Sequence, residues 1–371
     1  MAVDAPPPEA DRRDGARHPR ETLQLFGQEA AERTFLDAYA AGRLHHAWLL
    51  TGPAGVGKAT LAWRIARMLL RAGDGELAPD DLSVPADDPV ARRVAALSEP
   101  RLALCRRPWD EKAKRCRTAI TVDEVRKLKS FFGLSAADGG WRVAIVDAAD
   151  ELNVSAANAL LKLLEEPPER TLFLLVGHQP AALLPTIRSR CRMLRLGKLA
   201  PMDLAQALAA QEIEADTADP ALAELADGSV GEAVRLVTTG GAALYARLTA
   251  LLSGSGALDR QEMTAIANLA GGRAGGEEAR QILHLIQILV ARLARHGVSG
   301  TPQPEAAKGE ASVLAALAPD ARTGRLWAET AQAIGARAER ALAVNLDPSQ
   351  VILDTFVEID ATVARVLRQA A

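Results

Sequence analysis

The chain contains 371 residues, of which 49% are hydrophobic and 25% charged, and its formal net charge is −3. These values are typical of a soluble globular protein with two or three domains. A weakly acidic chain is not expected to coat nucleic acid over a broad surface, although a local basic patch is compatible with it.

Cysteine spacing and apolar runs exclude further classes of protein. The three cysteines form no CxxC pair, so the sequence predicts neither a disulfide framework nor a structural zinc site and fits a reducing cytosol. No apolar run approaches the ~18 residues of a membrane span, and the first residues lack an apolar signal core. We therefore expect a cytoplasmic protein that is neither membrane-inserted nor secreted.

The first elements in chain order are a polar tail, a helix and a strand. Residues 1–20 contain consecutive prolines and many charges without apolar periodicity, which predicts a disordered tail. A helical pattern runs from Leu25 to Ala41, and an apolar strand follows at His46–Leu50.

The stretch after this strand has the spacing of a phosphate-binding loop. Its glycines let successive backbone N–H groups and the following helix N-terminus point at a phosphate, and Lys58 supplies a positive charge. The next residue is ordinarily a Ser or Thr that binds magnesium, but here it is Ala59, and the side chain of residue 60 points about 100° further round the helix. The candidate phosphate-binding residues are Gly52, Gly55, Gly57, Lys58 and Thr60. A glycine-rich turn without a ligand is the alternative.

Arginines and lysines are concentrated between residues 106 and 117, around Trp109. Such a run is able to contact nucleic-acid phosphates, with an aromatic ring available for stacking. A solvated connection is the commoner explanation of a charge run. The sequence leaves both interpretations open.

A second apolar run, Arg142–Asp147, ends in an acid. This is the pattern of a buried parallel strand that carries a carboxylate to the edge of the sheet where ligands of α/β proteins gather. Asp147 is thus predicted to support a magnesium ion beside the phosphates. The alternative is that Asp147 caps the helix that begins near Asn153. An active ATPase of this type would next carry a glutamate, whereas this chain has Ala148.

The remaining elements are a helix that ends at a Pro-Pro pair, a strand, and then helices. The helix stops at residues 165–168, where two glutamates are more plausibly solvated than catalytic. A buried strand is predicted at Thr171–Val176 and a last strand runs through Leu196. After Leu199 the pattern is helical throughout.

These motifs, in this order, resemble the clamp-loader branch of the AAA+ family. They are the phosphate loop, the Asp147 strand, Leu-Leu-Glu-Glu-Pro-Pro at 163–168 and Ser-Arg-Cys at 189–191. The resemblance extends from about Leu25 to the C-terminus, because Asn-Leu-Asp-Pro at 345–348 also matches the family's last domain. It implies an α/β AAA+ P-loop domain with a parallel sheet, followed by a small helical lid and an all-α C-terminal collar domain.

The resemblance assigns a role to Arg190. This residue matches the arginine finger of the Ser-Arg-Cys motif, which reaches into the nucleotide site of a neighbouring subunit. Without the family, Arg190 reads as a helix-terminus or surface arginine. An arginine supplied in trans is worth roughly 10³ to 10⁵ in the rate of phosphoryl transfer, because it neutralises charge that develops in the transition state.

The nucleotide site departs from the family pattern at four places. The replaced groups are the magnesium-binding hydroxyl, the water-activating glutamate, the hydroxyl residues after the fourth strand and the second sensor arginine, which are here Ala59, Ala148, Gly177-His178 and Gly231. We therefore expect that the chain hydrolyses ATP weakly or not at all, while binding of ATP or ADP without hydrolysis stays open. No zinc is expected, because only two cysteines lie where some relatives carry a four-cysteine module.

The predicted domains are a tail at 1–20, a P-loop domain at 21–198, a helical lid at 199–243 and a helical collar at 244–371. The resemblance implies a hetero-oligomeric ring of five subunits, with partners of delta and gamma/tau type, that acts on a sliding clamp and primed DNA and not on a membrane. The assembly would belong to a DNA polymerase, although this chain shows no paired-carboxylate polymerase site.

The sequence thus predicts a non-catalytic or weakly catalytic clamp-loader subunit that offers Arg190 to an adjacent motor subunit. One alternative is an autonomous AAA+ ATPase that remodels nucleic-acid complexes and uses Thr60 and Asp147 as an irregular metal site. Another is an inert scaffold whose phosphate loop is vestigial.

Overall fold

The computed structural model describes residues 8–72, 79–133, 140–213, 220–254, 256–271, 275–302, 304–344 and 346–370. These residues form two units. The first lies within residues 1–217 and 228–234, and the second within 218–227 and 235–371. The predicted lid at 199–243 contributes to both units, and the predicted domain boundaries stay predictions.

The first unit is an α/β domain. Its strands are β1 (Ala47–Thr51), β2 (Leu102–Arg106), β3 (Trp109–Asp110), β4 (Arg115–Cys116), β5 (Arg142–Asp147), β6 (Thr171–Gly177) and β7 (Arg192–Arg195). Its helices are α1 (Glu29–Ala40), α2 (Lys58–Arg71), α3 (Pro89–Ala95), α4 (Val122–Gly133), α5 (Val154–Glu165), α6 (Pro185–Ser189) and α7 (Pro201–Ala210). Short 3₁₀ turns lie at Ala149–Glu151 and Pro180–Ala182.

Five of these strands form a parallel sheet in the order β2-β5-β6-β1-β7. Successive residues of β1 face opposite sides, as strand geometry requires. Ala47 and Leu49 join the core under α4 and α5, whereas Trp48 packs against Phe35 of α1. Helix α2 also packs on the sheet, through β1, β5 and β6, and its apolar side chains are buried. The predicted parallel P-loop sheet is confirmed.

The N-terminal residues differ from the expectation of a disordered tail over 1–20. Residues 8–23, called the strap below, pack on the first unit, and His18 within them is fully buried. The expectation therefore does not describe residues 8–20, and residues 1–7 lie outside the described residues.

Buried arginines of α2 explain why the strap is ordered. The guanidinium of Arg67 donates to the backbone oxygens of Arg20, at 2.8 Å, and Thr22, at 2.7 Å. Burial lowers the pKa of Arg67 to about 10, and the charge of Arg64 adds to that effect. Because a buried guanidinium must keep its hydrogen bonds, these two carbonyls hold the strap against the helix.

The second unit is helical. Its helices are α8 (Pro220–Ala226), α10 (Gly241–Leu251), α11 (Arg260–Asn268), α12 (Gly275–Ser299), α13 (Glu310–Leu317), α14 (Ala321–Ala343) and α15 (Pro348–Ala370), and the division between the units falls within α9 (Val230–Thr238). In the described residues of both units, no helix is long and apolar enough to span a bilayer.

A buried ionic cluster lies in the middle of the second unit. Glu310 accepts hydrogen bonds from Arg292, at 2.7 and 2.9 Å, and from the Tyr245 hydroxyl, at 2.6 Å. All three side chains are buried, so each charge has partners that compensate for its lost hydration. The predicted all-helical C-terminal region is confirmed as a structure, and its role as a collar stays a prediction.

Candidate nucleotide site and arginine donor

The phosphate loop lies at the carboxyl edge of the sheet, directly after β1. Gly52, Gly55 and Gly57 have φ angles of +145°, +76° and +100°. A side chain at these positions would also collide with neighbouring atoms, for example with the Ser229 hydroxyl at Gly55. The loop therefore has the wrapped backbone that its glycine spacing predicts, and it ends where α2 begins at Lys58.

The start of α9 packs directly on this loop. Ser229 donates from its hydroxyl to the Ala54 carbonyl at 2.9 Å, and the Gly231 N–H donates to the Gly55 carbonyl at 3.2 Å. Gly231 thus adjoins the loop, and its correspondence to a sensor position stays a prediction.

Lys58 is buried and its ammonium group bonds to the loop itself. Its Nζ donates to the carbonyl of Gly52, at 2.8 Å, and to that of Pro53. Burial lowers the pKa of Lys58 to about 8, while the negative charges of Asp147 and Asp150 oppose the change. A phosphate would have to take over these hydrogen bonds, so Lys58 stabilises the loop in this structure.

Asp147 ends β5 beside this lysine, as predicted. Burial raises the pKa of Asp147 to about 7, and the nearby carboxylates of Asp11 and Glu151 raise it further against the effect of Lys58. The alternative that Asp147 caps the next helix is wrong, because Asn153 is the N-cap of α5 and accepts from the Ala156 N–H at 2.8 Å. Asp147 is therefore a carboxylate group of the candidate site and does not cap α5.

Asp150 fixes the loop that follows β6. Its two carboxylate oxygens accept the backbone N–H groups of His178, at 3.0 Å, and Gln179, at 3.1 Å. Burial lowers the pKa of His178, and the charge of Lys58 lowers it further. Both effects favour the neutral form of the His178 imidazole.

This residue set fits a phosphate better than a metal ion. The wrapped loop, the N-terminus of α2 and Lys58 suit an anion. A magnesium ion needs oxygen ligands, but Ala59 and Ala148 offer none from their side chains, and the raised pKa of Asp147 favours its neutral form. Thr60 lies in the first turn of α2, and its part as a ligand stays a prediction. In the described residues, no group of three or more His, Cys, Asp or Glu is arranged to hold a metal.

Arg190 lies at the other edge of the sheet. It follows α6 directly and precedes β7, and β7 pairs in parallel with β1 so that Arg192 lies opposite Trp48. Its guanidinium pairs with Glu165 at 2.6 Å and donates to the Thr186 carbonyl at 3.1 Å. About a third of the Arg190 side chain is exposed (36%).

Arg190 and the phosphate loop of its own chain lie at opposite ends of the neighbouring strands β7 and β1. Arg190 lies two residues before the start of β7, level with the residue before Ala47, and Gly52 follows the far end of β1. At about 3.3 Å per residue, roughly 20 Å of strand lies between them. One arginine side chain does not span that distance, so Arg190 is placed to act outside its own loop.

The basic segment around Trp109 forms a hairpin, β3 with β4. Arg107 pairs with Glu151 at 2.7 Å, and Arg117 with Asp110 at 3.4 Å. These charges have carboxylate partners within the chain, which favours the structural interpretation for these two arginines over a nucleic-acid contact.

Three residues near the two ends of the sheet strands were not predicted from the sequence to belong to the site. Asp11 belongs to a segment whose composition predicts disorder, Asp150 lies in a turn after Asp147, and Glu165 is predicted to be solvated. The partners Arg190 of Glu165, His178 of Asp150 and Arg106 of Asp11 are 25, 28 and 95 residues away in sequence. The one local signal was the Leu-Leu-Glu-Glu-Pro-Pro motif itself, which marks Glu165 without giving its partner.

Comparison with known proteins identifies relatives of the first unit. Residues 27–200 match the family model described as "DNA polymerase III, delta subunit". The chain is 41% identical over 146 residues to the delta-prime subunit of DNA polymerase III from Pseudomonas aeruginosa, covering 39% of this chain and 41% of that protein. It is 28% identical over 186 residues to the gamma subunit from Buchnera aphidicola, covering 50% and 47%.

The matches are partial in extent. The chain spans less than half the length of these two curated relatives. Among solved structures, a gamma-subunit-related protein of DNA polymerase III from Thermotoga maritima aligns with 90% of this chain and 99% of its own, at 15% identity and a TM-score of 0.37.

Proposed function

We propose that the chain is a clamp-loader subunit of the delta-prime type that lends Arg190 to a neighbouring ATPase, because residues 27–200 match the DNA polymerase III delta-subunit family model and are similar to curated delta-prime subunits. It would help to load a sliding clamp on primed DNA during replication, in a ring with subunits of delta and gamma/tau type. Such a role belongs to the replication machinery in the bacterial cytoplasm.

One observation carries the proposal: Arg190 and the phosphate loop lie at opposite edges of one sheet. An arginine that stabilises a transferring phosphoryl group must reach the nucleotide. Because Arg190 cannot reach the loop of its own chain, a nucleotide that it touches is held by another subunit. The Glu165 contact keeps the guanidinium at the protein surface in a defined position until that partner is present.

The phosphate loop has a different role in this proposal. It would hold ATP or ADP without hydrolysis, with the loop backbone and Lys58 against the phosphates. Ala59 and Ala148 remove the groups that would bind the metal and activate water. The chain's own ATPase activity is therefore expected to be absent or weak.

The test is the loader reconstituted with its delta-type and gamma/tau-type subunits and carrying Arg190→Ala in this chain. Single-turnover hydrolysis at the one site that Arg190 serves should slow by roughly 10³-fold, because the transition-state charge loses its guanidinium. Steady-state hydrolysis falls less, since other sites continue to turn over. Clamp loading on primed DNA should slow with the affected site.

A neighbouring arginine supplies the control. The guanidinium of Arg192 lies over the ring of Trp48, 4.7 Å from its centroid, and is thus already occupied within the chain. Arg192→Ala in the same reconstituted loader should leave hydrolysis within about twofold of the unmodified assembly. Equal rates for Arg190→Ala and the unmodified loader would remove the proposed role of Arg190.

A further inference from the structure

The strap is anchored beside the phosphate loop by partly buried ion pairs. Arg106 of β2 pairs with Glu9, at 2.9 Å, and with Asp11. Arg20 pairs with Glu9 at 2.7 Å. Burial would raise the pKa of Asp11, but a hydrogen bond with His18 and the charge of Arg106 outweigh burial and lower it. Asp11 is thus held as a buried anion with two partners.

His18 completes the anchor. Its Nδ1 accepts the Arg20 N–H at 3.1 Å, and its Nε2 lies 3.3 Å from a carboxylate oxygen of Asp11. The imidazole is fully buried against the edge of Trp63 of α2, with ring centroids 6.1 Å apart. The residues on both sides of Arg13 are therefore fixed to β2 and α2, and the backbone at Arg13 has a defined position.

Arg13 fills the space that a side chain at position 231 would occupy. A Cβ added to Gly231 would lie 3.2 Å from Arg13 Cδ and 3.3 Å from one of its guanidinium nitrogens. It would also lie 3.2 Å from the Cα of Gly55, so Arg13 lies beside the phosphate loop as well. The strap thus places a guanidinium at the position where the family pattern has a sensor arginine.

The charge of Arg13 faces the site and has no internal partner in the part of the chain that the structure describes. Arg13 lies against Gly231, which adjoins Gly55 of the loop, and its charge contributes, after burial and Lys58, to the lowered pKa of His178. Arg13 is exposed, and its guanidinium forms no ion pair with the described residues. An exposed guanidinium next to the phosphate loop, without a carboxylate partner among the described residues, suits the binding of an anion.

We propose that Arg13 is a phosphate-binding residue of the nucleotide site, supplied by the strap in place of the missing side chain at position 231. With Lys58 and the loop N–H groups it binds the phosphates of a nucleoside di- or triphosphate, by hydrogen bonds that a guanidinium makes well with phosphate oxygens. The proposal rests on the binding of ATP or ADP without hydrolysis that is part of the proposed function.

The test is binding of ADP to the purified full chain, measured by isothermal titration calorimetry. Arg13→Ala should weaken the affinity for ADP by about tenfold, as expected for loss of one charge-assisted hydrogen-bonding group at a partly exposed site. Arg12→Ala is the matched control, because Arg12 is the exposed neighbour in the same strap and its loss changes the net charge equally. The control should bind ADP within about twofold of the unmodified chain.

Three outcomes would overturn the proposal. ADP affinity that is unchanged in Arg13→Ala would make Arg13 a bystander, and tighter binding would make the strap a cover over the loop. No binding of ADP by the unmodified chain would refute both Arg13 and the proposed nucleotide binding. None of these results bears on Arg190, whose role is measured by hydrolysis at a neighbouring subunit.

Discussion

The two edges of the parallel sheet differ in the residues that they offer to the proposed nucleotide chemistry. At the carboxyl edge the loop backbone and Lys58 are present, but the metal-binding hydroxyl and the water-activating acid are not. At the amino edge Arg190 is present, exposed and oriented by Glu165. In the proposed function, the chain lacks residues for its own hydrolysis and still offers Arg190 to a neighbour, because the two sets of residues lie on opposite edges.

The largest stability effect that we expect at the carboxyl edge comes from Arg106→Met. This change leaves the buried carboxylate of Asp11 without its guanidinium partner, and the loss of one partner from a largely buried pair costs about 2–4 kcal/mol. The loss of stability is at most the free energy that holds the strap on the domain, because we expect residues 8–23 to detach before the sheet unfolds. If the strap loses ~3 kcal/mol of docking free energy, hydrogen exchange of its backbone amides should accelerate by about a hundredfold or more.

An exposed ion pair gives the matched comparison for Arg106. Arg117 pairs with Asp110 at 3.4 Å, and its side chain is 55% exposed. Arg117→Met should change stability by less than about 0.5 kcal/mol. Equal protection of the strap in both variants would contradict the anchoring role of Arg106.

A smaller, pH-dependent effect is expected from Asp147→Asn. Because burial raises the pKa of Asp147 to about 7, the folded chain keeps a proton there that the unfolded chain releases near pH 4. The stability of the unmodified chain relative to the variant should therefore fall by roughly 1 kcal/mol per pH unit between pH 5 and 7, and should level off above pH 7. Denaturant titrations at pH 5, 6, 7 and 8 measure this difference.

Asp123 provides a control for that titration, since it lies on α4 with its side chain 71% exposed. Asp123→Asn should show no comparable pH dependence over the same range. A difference between the unmodified chain and Asp147→Asn that does not vary with pH would mean that Asp147 is ionised in the folded chain throughout.

The smallest effect is expected at the amino edge, from Glu165→Gln. The pair with Arg190 is about one-third exposed on both sides, so its loss should cost less than about 1 kcal/mol of stability. If Glu165 only orients the guanidinium, hydrolysis by the reconstituted loader should change by a few-fold at most. Glu166→Gln, at the exposed next position, is the matched control and should leave hydrolysis unchanged.

The sequence predicts those features that depend on local spacing. The glycines and Lys58 of the loop lie within seven residues, and the apolar run before Asp147 is continuous, so both motifs could be placed on the sheet. The parallel order follows from apolar strands that alternate with helical patterns. Arg190 is singled out only by the resemblance, because the residues around it indicate no more than an arginine at a helix terminus or on the surface.

Features that depend on distant pairing were not predictable in the same way. The strap has the composition of a disordered tail, and it is ordered because Arg106, some 95 residues later, lies where Glu9 and Asp11 can reach it. The hairpin of β3 and β4 was missed because strands of two residues carry no periodicity. In each case the charges were visible, but the partner was set by the fold.

The most direct measurement compares Lys58→Ala with Arg190→Ala in the reconstituted loader, by single-turnover hydrolysis at the site that adjoins this chain. The account predicts that Arg190→Ala slows hydrolysis there by roughly 10³-fold, whereas Lys58→Ala leaves it within about twofold. The opposite pattern would contradict it. Loss of turnover with Lys58→Ala, together with hydrolysis by the isolated chain, would show that this subunit is an ATPase in its own right.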